Sequence, residues 1–283
     1  MSPLIEPEVL ATLLNDERIV IIDARYNLSK PFAGHALYNQ NHLPGAFYAH
    51  LEDDLSGTII PGKTGRHPLP EPDVFAVRVR FWGIDDDAHV VVYDDGSHAM
   101  AARAWWQLRW IGVKHVSVLH GGFKAWLAGR YPLTSERPEI RFSHFISHLH
   151  DEETVSAQDI LNQLDEPRFR LVDARSYERF AGESEPIDAR AGHIPGALCH
   201  PFSENMDDDG RFLAADRLRQ TFNALLPSDL KPVFYCGSGV TACHNLLAME
   251  YAGLPGAKLY PGSWSEWITD GTRPVAVVDR HQG

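Results

Sequence analysis

The sequence predicts an α/β fold of two tandem domains, each a parallel sheet flanked by helices. Two observations lead to this prediction: a set of motifs that occurs twice, and helical patterns that alternate with short apolar runs in both halves. The length of 283 residues suits two domains of ordinary size. We place the N-terminal domain at residues 1–137, a linker at 138–153 and the C-terminal domain at 154–283.

Four motifs recur in one order and with nearly constant spacing. The pairs are residues 21–25 and 171–175 (IIDAR, LVDAR), 42–46 and 193–197 (HLPGA, HIPGA), 91–94 and 233–236 (VVYD, VFYC), and 121–126 and 262–267 (GGFKAW, GSWSEW). Duplication of one domain explains this pattern better than chance does. Asp94 stands where the second copy has Cys236, so only the C-terminal domain can perform cysteine chemistry at this place.

The same order of elements is predicted in both halves: helix, strand, strand, helix, strand. In the N-terminal half these are residues 9–14, 19–22, 89–93, 99–111 and 117–119. In the C-terminal half they are residues 160–164, 170–172, 232–235, 242–251 and 257–260. Gly112 and Gly253 follow the longer helices, as glycines that end helices do. Apolar strands between helices are typical of parallel sheets covered on both faces.

A cysteine loop, which we define as residues 236–241 (CGSGVT), joins a predicted strand to a predicted helix. Backbone N–H groups at a helix N-terminus favour the thiolate form of a nearby cysteine. Gly237 and Gly239 allow the backbone to curl, so that amides of the loop, including those of Val240 and Thr241, can bind an anion. The loop predicts a reactive cysteine, and a buried structural Cys236 is the alternative.

Composition limits the class of partner. The chain carries 26 Lys plus Arg against 38 Asp plus Glu, so it repels nucleic acid and anionic membranes. It contains no apolar run of membrane-spanning length, and residues 1–7 do not resemble a targeting signal, which together predict a cytoplasmic protein. Three irregularly placed cysteines suit a reducing compartment. The histidines at 144, 148 and 150 lack a metal-ligand spacing, so no metal is expected.

The duplicated motifs and the Cys-Gly-Ser-Gly-Val-Thr loop resemble those of tandem-domain rhodanese-type sulfurtransferases. The resemblance covers nearly the whole chain. It implies two rhodanese-like domains, of which the first is inactive and the second is catalytic, with a site in the cleft between them. In that family, this form of the loop is typical of enzymes acting on 3-mercaptopyruvate, whereas Cys-Arg-Lys-Gly-Val-Thr is typical of those acting on thiosulfate.

The charge of the loop points the same way. Thiosulfate is a dianion, and a loop without a cation beside the sulfur does little to stabilise departing sulfite. The neutral pair Gly237 and Ser238 favours a thiol donor whose carboxylate is held elsewhere by arginine, since guanidinium grips a carboxylate with two hydrogen bonds. The resemblance assigns one such arginine to Arg179. The family's second arginine follows a Glu-Pro pair, where this chain has Ile187, and Arg190 is the candidate replacement. Either arginine could instead be an ordinary surface charge.

Two further residues are candidates for moving protons. Ser238 is placed to donate a hydrogen bond to the sulfur or carbonyl of the donor. The resemblance implies a relay of serine, histidine and aspartate that would include His42, but residues 28–40 contain no Asp or Glu. His42 and His193 occupy the same place in the two repeats, so a turn-stabilising role for both stays open.

The predicted reaction is transfer of sulfur from 3-mercaptopyruvate to Cys236, which releases pyruvate and leaves a persulfide. A thiol, a thioredoxin-like protein or cyanide then accepts the sulfur, and no cofactor is expected. Transfer from thiosulfate to cyanide and a non-catalytic binding module are the alternatives. A phosphatase or arsenate reductase would need an arginine at position 242, where this chain has Ala242.

Overall fold

The computed structural model describes residues 2–226 and 230–278. The chain divides into two compact units, and each takes a short segment from the other half of the sequence. Unit 1 consists of Met1–Gly57, Leu69–Asp151 and Asp207–Phe212, and unit 2 of Thr58–Pro68, Glu152–Met206 and Leu213–Gly283. The domain boundaries at 1–137, 138–153 and 154–283 stay a prediction.

Unit 1 contains a five-stranded parallel sheet with the strand order β1-β5-β4-β2-β3. Its strands are β1 (Leu4–Ile5), β2 (Ile19–Asp23), β3 (Phe47–Tyr48), β4 (His89–Tyr93) and β5 (His115–Leu119). Its helices are α1 (Pro7–Leu13), α2 (Ala33–Gln40), α3 (Pro72–Phe81), α4 (Ala99–Trp110) and α5 (Gly122–Ala128). The central strands β2 and β4 are buried from their second residue onward, as their apolar sequences predict.

Unit 2 repeats this arrangement with four parallel strands in the order β7-β6-β8-β9. Its strands are β6 (Phe169–Asp173), β7 (Leu198–Cys199), β8 (Lys231–Tyr235) and β9 (Lys258–Leu259). Its helices are α6 (Ala157–Leu161), α7 (Tyr177–Ala181), α8 (Ala215–Leu225), α9 (Ala242–Tyr251) and α10 (Ser263–Trp267). An isolated parallel bridge from Thr154 to Leu259 stands beside β9, where unit 1 has β1 beside β5.

The predicted fold class is confirmed, and the predicted strands and helices lie within a few residues of the observed ones. The strand predicted at 89–93 and the helix predicted at 242–251 have the predicted bounds. The duplicated Asp-Ala-Arg motifs brace the two units in the same way. Arg25 donates to both carboxylate oxygens of Asp23, and Arg175 does so to Asp173, with every partner almost fully buried. Within the part of the chain described here, no helix is long and apolar enough to cross a membrane.

Candidate active site

Strand β8 carries Cys236 to the carboxyl end of the second sheet, the edge where parallel sheets bind ligands. The thiol-bearing residue is 2 % exposed. The Cys236 N–H donates to Ser263 Oγ at 3.1 Å, and the Trp264 N–H donates to the Cys236 carbonyl at 2.9 Å. The start of α10 therefore fixes the backbone on both sides of the sulfur. This explains why the GSWSEW motif accompanies the cysteine loop.

Gly239 is required by the course of the cysteine loop. Its φ is +75°, in the region that favours glycine, and a Cβ there would lie 2.3 Å from the carbonyl oxygen of Pro261. The loop turns at this residue and enters α9 at Ala242. The prediction that glycine lets the backbone curl beside the cysteine agrees with this geometry.

The matching loop in unit 1 shows what such a turn binds. Asp94 is buried at the end of β4, and its carboxylate accepts four backbone N–H groups at 2.9 to 3.2 Å. The donors are Gly96 and His98, just before α4, and Met100 and Ala101, in its first turn. In unit 1 a hydrogen-bonded carboxyl group therefore fills the loop, although burial raises the pKa of Asp94, and in unit 2 Cys236 takes its place.

Two arginines lie over Gly237, directly beside the cysteine. A Cβ placed on Gly237 would lie 2.9 Å from Nη2 of Arg66 and 3.6 Å from both Nη atoms of Arg179. Arg179 comes from the short helix α7, which is followed by Gly182 with a φ of +84°. Arg66 comes from the segment Thr58–Pro68 of unit 2, and its N–H donates to Ser265 Oγ at 3.1 Å. Guanidinium groups at this position can bind a carboxylate or another small anion.

Both arginines are held by carboxylates. Arg179 donates to both oxygens of Glu185, and its Nη2 donates to Asp188 Oδ2 at 2.9 Å. Arg66 pairs through Nη1 with Asp188 Oδ1. Asp188 and Glu185 have side chains only 5 % and 4 % exposed, whereas the side chain of Arg66 is 33 % exposed, so the carboxylates are more shielded from water than Arg66 is. Asp188 therefore bridges the two guanidinium groups.

Burial lowers the pKa of Arg66 from its ordinary value, attraction to the Cys236 thiolate opposes this shift, and repulsion from Arg179 adds to it. An arginine remains protonated at neutral pH even with such a shift. Its positive charge over Gly237 can attract an anionic substrate.

Ser238 of the cysteine loop pairs with a histidine that sequence reasoning did not find. His67 Nδ1 lies 2.8 Å from Ser238 Oγ, and the two residues are 6 % and 7 % exposed. A hydroxyl hydrogen-bonded to an imidazole can pass a proton between a substrate and the ring. The two residues are 171 positions apart in the sequence, and no sequence pattern indicates that they are in contact.

The remaining candidate residues have different surroundings. Val240 is buried and Thr241 is half-buried, both in the loop before α9. Arg190 is exposed, and its backbone carbonyl accepts a hydrogen bond from Trp264 Nε1 at 2.8 Å. His42 lies in unit 1, fully buried, with Nδ1 2.7 Å from the Tyr38 carbonyl and Nε2 3.0 Å from the Glu136 carbonyl. Unit 2 thus groups Cys236, Ser238 and Arg179, and the hydrogen bonds described for Arg190 and His42 go to other residues.

Cys199 and Cys243 have surroundings unlike those of a nucleophile. Burial raises the pKa of the Cys199 thiol to about 12, with repulsion from Asp173 adding to the shift. Cys243 is fully buried in α9, and its Sγ lies 3.4 Å from the Gly239 carbonyl. Among residues 2–226 and 230–278, no group of three or more His, Cys, Asp and Glu side chains is arranged to hold a metal.

Sequence reasoning missed Arg66, His67 and Asp188. A weak signal was available: residues 65–67 place glycine, arginine and histidine together in a region without helical or strand pattern. Gly65 permits the close approach, since a Cβ there would lie 2.5 Å from the Gly262 carbonyl and 2.7 Å from Ser265 Oγ. No spacing rule connects this segment to a cysteine 170 residues further along the chain.

A cysteine in a strand-to-helix loop, at the carboxyl end of a parallel sheet and under arginines, defines a class of group-transfer site that uses a thiolate nucleophile. The family model described as the rhodanese-like domain matches residues 6–129 and 156–270. The chain belongs to the rhodanese-like family, with two such domains.

Similar proteins carry two kinds of name. A probable 3-mercaptopyruvate sulfurtransferase of Pseudomonas aeruginosa is 48 % identical, over 98 % of this chain and 99 % of the relative. A putative thiosulfate sulfurtransferase, SseB of Mycobacterium tuberculosis, is 41 % identical over 95 % of this chain and 94 % of its own length. The crystal structure of SseA from Escherichia coli, a 3-mercaptopyruvate sulfotransferase, matches with a TM-score of 0.82 and 36 % identity, over 94 % of this chain and 100 % of that one.

Proposed function

We propose that this protein is a 3-mercaptopyruvate sulfurtransferase. Cys236 accepts a sulfur atom from the donor, pyruvate leaves, and the persulfide on Cys236 passes its outer sulfur to an acceptor. The relatives from Pseudomonas aeruginosa and Escherichia coli support this donor by their names. The observation that carries the choice of donor is the hydrogen bond between Ser238 and His67.

The first half-reaction needs a proton at a carbon atom. The Cys236 thiolate attacks the thiol sulfur of 3-mercaptopyruvate, so a sulfur–sulfur bond forms and the carbon–sulfur bond breaks. The electron pair goes to the departing carbon, which is an enolate of pyruvate until it takes up a proton. The thiol of 3-mercaptopyruvate supplies this proton, and a nearby group must transfer it from the sulfur to the carbon of the enolate. Ser238 and His67, at 2.8 Å from each other, are suited to this transfer.

Thiosulfate makes no such demand, because sulfite leaves as a stable anion with its own electron pair. A serine and histidine pair beside the cysteine would have no proton to transfer in the reaction of thiosulfate. The pair therefore favours the donor whose leaving group must be protonated.

The sequence predicted that no cation lies beside Cys236, and the structure shows that this prediction is wrong. The cysteine loop itself is neutral, but Arg66 supplies a cation beside Gly237 that the sequence pattern did not reveal. That cation would also stabilise sulfite, so charge alone does not separate the two donors. Thiosulfate remains the second candidate donor, and the name of the relative in Mycobacterium tuberculosis favours it.

The acceptor and the cellular setting complete the proposal. We propose a small thiol or a thioredoxin-like protein as the acceptor, with cyanide as a laboratory substitute, and a cytoplasmic location. Cys236, Ser238, Arg179, Arg66 and His67 carry the reaction, and the amides of residues 237–241 bind the persulfide anion. Asp94 in unit 1 supports this last role, because its carboxylate is bound by amides of the matching loop.

The test of the proposed function compares donors in the wild type and in Ser238→Ala. In the wild type we expect the kcat/KM for 3-mercaptopyruvate to exceed that for thiosulfate. Ser238→Ala should lower kcat with 3-mercaptopyruvate by about 10²-fold, the usual contribution of a positioned proton carrier, and leave thiosulfate turnover nearly unchanged. His67→Gln should have the same selective effect. An equal loss with both donors would reject the proton-transfer role, and a wild type that prefers thiosulfate would reject the proposed donor.

A binding module without activity predicts a different result. Incubation with 3-mercaptopyruvate should increase the mass of the protein by one sulfur atom, and cyanide should remove that increase. A protein that takes up no sulfur from either donor would be a binding module.

A further inference from the structure

Asp188 occupies the position between Arg66 and Arg179 that the carboxylate of a donor would need. Each of its carboxylate oxygens meets one guanidinium group: Oδ1 pairs with Arg66 Nη1, and Oδ2 accepts from Arg179 Nη2 at 2.9 Å. Both guanidinium groups lie against Gly237, the residue next to the nucleophile. A carboxylate bound in this bridging way is what arginine pairs are suited to bind.

The charges around this position already balance. The connected ion pairs join three positive groups to three negative ones: Arg66, Arg179 and Arg175 with Asp188, Glu185 and Asp173. A donor carboxylate added to this set would leave one negative charge in excess within a poorly exposed region, which is costly. Removal of Asp188 from between the arginines restores the balance when a donor binds.

The chain around Asp188 allows such a movement. Pro186, Ile187 and Ala189 are exposed, so no core residue blocks the Asp188 side chain. The Asp188 N–H donates to Glu185 Oε1 at 3.1 Å, which holds the backbone, so the movement is a rotation of the side chain alone. Glu185 stays in place, because it also accepts a hydrogen bond from Arg175 at 3.1 Å. It would continue to orient Arg179 after Asp188 has moved.

We propose that Asp188 is an internal competitor that mimics the donor's carboxylate and must be displaced before an anionic donor can bind beside Cys236. It thereby sets the affinity and selectivity of the site for carboxylate-bearing substrates. This inference rests on the proposed function only for the class of donor, an anion delivered to Cys236.

Alkylation of Cys236 tests the proposal without any sulfur transfer. Iodoacetate and iodoacetamide react with the thiolate in the same way: a sulfur–carbon bond forms, the carbon–iodine bond breaks and iodide leaves. Only iodoacetate carries a carboxylate. Asp188→Asn should raise the ratio of the two rate constants, iodoacetate over iodoacetamide, by about tenfold, because one negative charge is removed at contact distance from the arginines. The rates are followed by the mass of the peptide that contains Cys236.

Glu178→Gln is the matched control. It removes the same charge from an exposed position on α7, the helix that carries Arg179, and should leave the ratio within about twofold of the wild type because exposed charges are screened. Asp188→Ala serves as a second variant, with circular dichroism to verify folding. It should raise the ratio at least as far as Asp188→Asn does.

The alternative is that Asp188 positions the two arginines for the donor. Asp188→Asn would then lower the alkylation ratio, and this result, or an unchanged ratio, would overturn the proposal. The KM for 3-mercaptopyruvate should fall about tenfold in the same variant. If the wild type does not turn over 3-mercaptopyruvate at all, the proposed function fails, whereas the alkylation ratio still decides the role of Asp188.

Discussion

Replacement of Cys236 by serine is expected to abolish sulfur transfer from both donors while the fold stays intact. A serine hydroxyl is neither acidic nor polarizable enough to accept sulfur at neutral pH, so the persulfide cannot form. The side chain changes by one atom at a site fixed by backbone hydrogen bonds to α10, which the variant keeps. Steady-state turnover and the mass increase after incubation with donor measure the effect, and circular dichroism verifies the fold.

The other cysteines provide the controls for this prediction. Cys199→Ser and Cys243→Ser should retain most of the activity, because a thiol with a pKa of about 12 and a thiol within α9 cannot replace the nucleophile. Substantial turnover by the Cys236→Ser variant with either donor would contradict the central claim.

Replacement of Arg179 by alanine should raise the KM for 3-mercaptopyruvate by about thirtyfold to several hundredfold. Loss of a poorly exposed arginine that binds an ionised carboxylate typically costs about 2 to 4 kcal/mol. Arg179→Lys should recover part of the loss, since a point charge cannot reproduce the planar guanidinium. The reaction of preformed persulfide with cyanide should change far less, because that step involves no donor carboxylate.

Three other variants show which arginines contribute to binding of the donor carboxylate. Arg66→Ala should raise the KM in the same way, since its guanidinium lies on the other side of Asp188. Arg190→Ala should have a smaller effect than either. Arg217→Ala removes the same charge from an exposed position on α8 and should leave the KM unchanged. An unchanged KM in Arg179→Ala would reject this assignment and leave Arg66 as the main carboxylate-binding residue.

The sequence by itself determined the fold class, the duplication and the nucleophile, because each of these is written in local patterns. Apolar runs between helical segments indicate parallel strands wherever they occur, and a repeated motif indicates a repeated unit. Cys236 could be identified because its loop, its strand and its helix are contiguous in the chain. The position of Arg179 followed from a resemblance within the same half of the sequence.

Only the tertiary structure decided what surrounds the nucleophile. Arg66 and His67 belong to the first half of the sequence but lie in unit 2, where they contact Asp188 and Ser238 across 122 and 171 positions. In the sequence nothing distinguishes Asp188 from any other loop carboxylate, and only the structure shows that it pairs with two arginines. Contacts of this kind depend on the path of a segment without regular structure, and hydrophobic periodicity carries no information about such a path. For that reason the nucleophile could be identified from the sequence, whereas the charged and proton-carrying groups around it could be identified only from the folded structure.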